Sequence, residues 1–193
     1  SSCEPVKTMN RGWSLRWQWI CALWLLLSVP VHAAKTESDV TESAVKAAFI
    51  YNFTKFVEWP SAALAVNDPL QLCILGQDDT SNRLRQLHGR EAQGHTLQVR
   101  QLTTPEESSG CHLLFVTRNH PRPLPGDQKL PLGNGQLTVS DAPGFIRRGG
   151  MIELFVEASR VQFMISVENA QSASLKISAR MLQLSRTPRL GGK

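Results

Sequence analysis

The chain has 193 residues, 41% hydrophobic and 19% charged, with a formal net charge of +5. That length fits one domain or two small ones. The basic excess is too mild and too scattered for a nucleic-acid-binding face, which needs a concentrated basic stripe.

The first element is a leader. Arg11 and Arg16 precede an apolar run over residues 17–29, interrupted only by Gln18 and Ser28. Pro30 ends the run, and Val31-His32-Ala33 has the small-x-small form of a cleavage site. The run is shorter than the roughly 18–20 apolar residues of a comfortable membrane span. Residues 1–33 are therefore read as an N-terminal extension and secretory signal, residues 34–185 as one α/β domain, and residues 186–193 as a tail. Cys21 lies inside the run, not at its end, which argues against a lipidated cysteine. Cleavage after Ala33 leaves a net charge of +3 and two cysteines, Cys73 and Cys111. An even count in an oxidising compartment favours a bridge; two buried thiols are the alternative.

Residues 36–57 carry a broad apolar arc at helical spacing: Val40, Ala44, Ala47, Ala48 and Tyr51, widened by Val45, Phe49, Phe53, Phe56 and Val57. Trp59-Pro60 stops the helix, because a residue before proline avoids the helical region. Residues 70–75 alternate as a strand. A short helix to His88 follows, capped by Asp79, Thr80 or Ser81 and ended by Gly89. A second strand spans residues 96–102, and Thr104-Pro105-Glu106-Glu107 opens a brief helix. Residues 112–117 enclose Leu113-Leu114-Phe115-Val116, the uniformly apolar core of a central strand. Residues 119–131, with Pro121, Pro123, Pro125 and Pro131, form a loop. Residues 137–140 give a fourth strand, and residues 151–156 and 161–167 make a hairpin turning at 157–160. Asn169 caps a closing helix bearing Leu175, Ile177, Met181, Leu182 and Leu184. The alternation predicts a three-layer α/β sandwich: a mostly parallel mixed sheet, Rossmann-like without a nucleotide loop, ending in an antiparallel hairpin and a helix.

No catalytic constellation emerges. Asp78-Asp79 follows the first strand as in phosphorylated receiver domains, but Val116-Thr117-Arg118 lacks their acceptor aspartate, so helix capping explains the pair better. Gly76 stands alone in its turn, and neither Gly133-Asn134-Gly135 nor Gly149-Gly150 opens a helix that could cradle phosphate. His88, His95, His112 and His120 are dispersed and read as surface or edge residues; neither a metal nor a cofactor is expected. No Gly-x-Ser-x-Gly elbow occurs. The expectation is a protein that is not an enzyme.

The string Phe49-Ile50-Tyr51-Asn52-Phe53-Thr54-Lys55-Phe56-Val57-Glu58-Trp59-Pro60 strongly resembles the first-helix signature of the YfiR family of bacterial periplasmic regulators. Leu72 to Gly76, Cys111 to Val116, Leu137 to Asp141, Gly144-Phe145 and Gly149-Gly150-Met151-Ile152 resemble its later segments in order, and residues 163–184 its last strand and helix. The resemblance implies a repressor that binds the periplasmic sensor domain of an inner-membrane diguanylate cyclase and restrains cyclic-di-GMP signalling and biofilm formation. It also implies sequestration by an OmpA-like outer-membrane lipoprotein, a homodimer, and sensitivity to redox state through disulfides. Only a Cys73–Cys111 bridge carries over, because residues 144–155 lack the second cysteine pair of the best-known pattern. The partner-facing candidates are Tyr51, Lys55 and Trp59 on the first helix, and Arg147, Arg148, Glu153, Arg160, Asn169, Lys176 and Arg180 in the late region. The rival reading is a periplasmic solute-binding component, which a deep pocket with converging polar groups would favour.

Overall fold

The computed structural model describes residues 37–120 and 134–186. The leader, most of the proline-rich loop and the end of the tail lie outside the described residues. Helix α1 (Glu37–Phe56) runs directly into the two-residue strand β1 (Val57–Glu58). Then come β2 (Leu70–Leu75), α2 (Asp79–Arg85), β3 (Glu91–Ala92), β4 (His95–Leu102), a 3-10 turn at Pro105–Ser108 and β5 (Leu113–Val116). The second half holds β6 (Leu137–Ser140), a 3-10 turn at Ile146–Arg148, β7 (Ile152–Glu157), β8 (Arg160–Ile165), α3 (Val167–Ser172), β9 (Lys176–Ile177) and α4 (Ala179–Leu184).

The seven-stranded sheet runs β3-β4-β2-β5-β6-β7-β8. Neighbours from β4 through β7 are parallel, while β3 and β8 pair antiparallel at the two ends. The five parallel strands follow chain order 2-1-3-4-5, so the direction of winding reverses between β2 and β5. Open α/β sheets place their crevice there, beyond the carboxyl ends of the strands.

Strand alternation divides the sheet's side chains between two cores. Leu70, Leu72, Ile74, Leu113, Phe115, Val139, Leu154 and Phe163 face the helices and meet Ile50 and Phe53 of α1, Leu84 of α2 and Met181 of α4. Phe49, Phe53 and Phe163 form an aromatic trio with centroids 5.0–6.2 Å apart. Such pairs contribute about 0.5–1.5 kcal/mol beyond their area. On the opposite face Cys73, Leu75, Leu102, Cys111, Leu114, Val116 and Phe145 form a smaller cluster. Its cover comes from segments containing the two 3-10 turns, so this third layer is irregular where a Rossmann-like sheet has helices. Gly150 makes the cover possible: a Cβ there would stand 2.2 Å from the Phe145 ring.

Several local expectations change. Asp78, not Asp79, Thr80 or Ser81, caps α2: its carboxylate accepts the Ser81 amide at 2.6 Å while the Ser81 hydroxyl accepts the Asp78 amide. The closing helix is two helices. Ser166 and Ser178 are the caps, Asn169 is not, and β9 between them pairs antiparallel with β1. The inward face of α1 includes Ser43, Lys46 and Thr54, whereas Val40, Val45 and Ala48 of the expected apolar arc are exposed. Polar residues occupy the buried stripe because each has a specific partner, and amphipathic pattern alone does not reveal such pairing.

Cys73 and Cys111 are bonded, 38 residues apart. The bridge joins β2 to the segment entering β5 and closes a loop worth about 4 kcal/mol in the chain-entropy model. Reduction should lower the melting temperature by roughly 10 °C for a domain of this size. Calorimetry with and without a dithiol reads this directly, and coincident melts would show that the bridge carries no stability.

Candidate functional site

The end of α1 gathers the first group of candidates. The helix stops where its last carbonyls leave the ladder, and the Gln93 side chain donates to the Thr54 and Val57 carbonyls at 2.8 and 2.7 Å. The Tyr51 hydroxyl donates to the Glu91 carbonyl at 2.7 Å, fixing its ring, and the Lys55 ammonium lies 4.1 Å from that ring's centroid. Trp59 is half-buried with its indole N–H donated to the His112 carbonyl at 3.1 Å. The β1–β9 ladder then brings the late region to the same place. Glu58 faces Lys176 across the two strands, and the Arg180 guanidinium lies 5.9 Å from the Phe56 ring centroid. Lys176 and Arg180 are thus carried to the end of α1 through Glu58 and Phe56, while Tyr51 and Lys55 form a separate pair beside β3. Lys55, Lys176 and Arg180 are exposed there. Each cation–π contact is worth about 0.5–1 kcal/mol at an exposed site, enough to favour one arrangement of an otherwise free side chain.

The remaining candidates lie elsewhere. Arg147 and Arg148 sit on the second 3-10 turn, with Arg148 donating to the Pro143 carbonyl at 2.9 Å. Asn169 donates to the Gly150 carbonyl at 2.7 Å and holds the double-glycine segment from α3. Arg160 is exposed at the β7–β8 turn, where Ala158 and Ser159 take positive φ. Glu153 is a correction to the expected partner-facing set. It is buried, and its carboxylate accepts the Gly144 and Ile146 amides at 2.9 and 3.3 Å. It shapes the loop from inside. His112 is a second correction. Its ring is buried, with Nδ1 accepting the Gln71 amide at 2.8 Å and Nε2 lying 2.9 Å from the Ala63 carbonyl.

A cluster that sequence reasoning missed occupies the carboxyl ends of the parallel strands. Lys46 of α1 is only 4% exposed, and its ammonium meets Asp141 at 2.7 Å and Glu42 at 2.6 Å. Asp141, immediately after β6, also accepts the Arg118 amide at 2.9 Å, and its carbonyl accepts Arg118 Nε at 3.1 Å. The clue in the sequence is a lysine among Val45, Ala47, Ala48 and Phe49. Burial alone pulls the Lys46 ammonium down, but hydrogen bonds to Asp141 and Glu42 and their negative charges outweigh it, so its pKa rises above 10.5. Burial pushes the Asp78 carboxyl up, helped by the charge of Asp141 and opposed by the Ser81 amide and hydroxyl and by Lys46. A tethered ammonium thus fills the position between carboxylates. Among the described residues no group of three or more His, Cys, Asp or Glu side chains could hold a metal ion.

Two clefts adjoin these elements. One of about 610 Å³ lies beside the disulfide and includes Glu106, Ser109, Cys111, His112 and Gln136. The other, about 250 Å³, lies under Trp59 and includes Glu58, Gln93 and His95. Among the described residues no helix is long and apolar enough to cross a membrane.

Comparison with known proteins agrees with the order of elements. A family model described as YfiR/HmsC-like matches residues 43–186, from the first buried positions of α1 to the end of the closing helices. None of the curated proteins matches the chain.

Lys46→Met leaves the buried Asp141 with only the half-exposed Arg118 guanidinium at 3.8 Å and should destabilise the domain by about 3 kcal/mol, the low end of the cost of breaking a buried pair. The pair's contribution is complete below the ordinary lysine value of 10.5 and disappears as pH climbs past the raised folded value. Denaturant melts between pH 7 and 12 should therefore show an alkaline loss in the wild type that Lys46→Met lacks. At the α2 cap, Asp78→Ala should cost about 1 kcal/mol, while Asp78→Asn keeps an acceptor, sheds a buried charge and should cost less.

Proposed function

The chain belongs to the YfiR/HmsC-like family, and from that membership we propose that it is an exported, non-catalytic repressor of a membrane-bound diguanylate cyclase. The family is one of periplasmic regulators, not of catalysts. In this reading residues 1–33 are removed on export, and the remaining domain binds the cyclase's periplasmic sensor domain. Cyclic-di-GMP output and biofilm formation then stay low until the contact is released.

The observation that carries the reading is the surface at the end of α1. Lys55, Lys176 and Arg180 are three exposed cations there, Lys55 laid against the Tyr51 ring and Arg180 near the Phe56 ring. Aromatic and basic groups held in place by the fold make good anchors at protein interfaces, because little side-chain freedom remains to be lost on docking. The complementary surface on the sensor domain is acidic with apolar positions between its charges. Repression requires this contact to be tighter in the cyclase's inactive arrangement, since a ligand of equal affinity for both states shifts neither.

Deleting the gene should raise cyclic-di-GMP in cells that carry the cyclase and leave it unchanged in cells that lack it. No rise in the first strain removes the repressor reading. The double charge reversal Lys55→Glu with Arg180→Glu should keep the melting temperature within a few degrees and weaken sensor-domain binding at least tenfold by titration calorimetry. Undiminished binding would move the interface away from α1.

A further inference from the structure

We propose that the cleft of about 250 Å³ under Trp59 is a binding site for a primary ammonium carried on an aliphatic stem. The assignment does not rest on the repressor reading and would hold for any role of the domain. Glu58, Trp59, Leu64, Leu70, Gln93 and His95 line the cleft. Every N–H of these side chains is already spent within the protein. The Trp59 indole donates to the His112 carbonyl at 3.1 Å. Gln93 Nε2 donates its two hydrogens to the Thr54 and Val57 carbonyls at 2.8 and 2.7 Å. His95 Nδ1 lies 2.8 Å from the Asp68 carbonyl, and a carbonyl only accepts, so Nδ1 carries the hydrogen of the neutral ring.

What these side chains keep for a ligand is all acceptor. Gln93 keeps Oε1, the His95 ring keeps the Nε2 lone pair, and Glu58 keeps a whole carboxylate. Among the described residues none of these three groups has a partner of its own. Lys176 stands opposite Glu58 in the β1–β9 register, yet no ion pair joins the two among the described residues. The negative charge therefore remains available. A primary ammonium has three N–H donors and no acceptor, which matches three acceptors, one of them charged. An anion would meet the Glu58 charge, and a ligand offering only carbonyls would find no side-chain donor.

Size and walls select the rest of the ligand. The volume falls below the roughly 300–1,000 Å³ of sites for drug-sized molecules, which suits a stem of a few methylenes. Leu64 and Leu70 are buried, and their side chains give those methylenes an apolar wall. Trp59 is half-buried with its ring held by the indole bond, and the face of an indole attracts a cation. A bare metal ion is the rival cation. It would leave the apolar walls unused, and the described residues bring no third His, Cys, Asp or Glu side chain to a metal site here.

Titrating n-pentylamine into the protein should move the Trp59 indole and Gln93 side-chain amide signals saturably in two-dimensional NMR spectra. The alcohol n-pentanol, with the same stem and no charge, should not. Glu58→Gln keeps the shape of an exposed side chain and should weaken amine binding about tenfold, and His95→Phe about threefold. A wild type that does not respond to the amine, or unchanged affinity in Glu58→Gln, overturns the assignment. Glu58→Gln decides the matter alone if His95→Phe does not fold. Saturable binding of zinc chloride without any response to the amine also overturns it and makes the cleft a metal site. Cadaverine and Nα-acetyl-lysine N-methylamide carry the ammonium from its two sources, a free diamine and a protein side chain. Whichever binds more tightly names the source, and either result upholds the site.

Discussion

A lysine ammonium almost excluded from water is tolerated only where carboxylates replace its hydration, and that requirement organises this molecule. Lys46 comes from α1, Asp141 from the exit of β6, and Arg118 from the exit of β5. One carboxylate therefore pins the principal helix to two neighbouring parallel strands at their carboxyl ends. Asp141 Oδ1 takes the Arg118 amide and Oδ2 takes the ammonium, so both oxygens are satisfied. A buried pair of this kind stabilises little compared with an apolar substitute. Its effect is positional, because any other rotation of α1 would strand a charge. With α1 set in register, Ile50 and Phe53 face the sheet, and the helix end arrives where β9 can pair with β1. The placing of Tyr51, Lys55 and Phe56 at the end of α1 thus depends on an ion pair at the middle of the same helix.

The sheet was the legible part of the sequence. β2 and β6 have the boundaries that alternation and apolar runs predict, and β5 is the uniformly apolar central strand, because burial on both faces leaves no polar position. The elements that escaped were short or polar. The pairing of β1 with β9 involves two residues from each strand, too few for any period to register. The second closing helix was hidden by a continuous apolar spacing over Leu175, Ile177, Met181 and Leu182, across which the chain turns out of helix, pairs as β9 and re-enters helix at Ser178. The candidate surface was half legible. Tyr51, Lys55 and Trp59 stood out by type, but the approach of Lys176 to Glu58 and of Arg180 to Phe56 is tertiary. Glu153 misled because a glutamate in a strand reads as solvated unless its amide partners, here Gly144 and Ile146, are visible.

Glu153 also bears on how this chain departs from the cysteine pattern it otherwise resembles. The segment from Gly144 to Phe155 lacks a second cysteine pair, yet the loop is firmly held. Glu153 takes two of its amides, Asn169 binds the Gly150 carbonyl, and Phe145 lies flat against Gly150 under the sheet. Hydrogen bonds to a buried carboxylate are directional and do not respond to thiols. Redox chemistry among the described residues is thereby confined to the Cys73–Cys111 bridge.

That confinement matters for how a signal could travel. The bridge lies in the smaller core with Leu75, Leu102, Leu114, Val116 and Phe145, on the face opposite the helices. The candidate docking surface lies at the end of α1, on the helical face. One side chain spans the separation: the Trp59 indole donates to the carbonyl of His112, the residue next to Cys111, and the His112 ring reaches Gln71 and Ala63. That carbonyl also accepts the Leu137 amide at 2.8 Å, and the His112 amide donates to the Gln71 carbonyl at 2.9 Å, so the residue that anchors Trp59 is tied to both neighbouring strands independently of the bridge. The end of α1 is held likewise by Gln93, Glu91 and β9. The anchor of Trp59 therefore rests on the sheet's hydrogen bonds, which a change in the oxidation state of Cys111 does not by itself break.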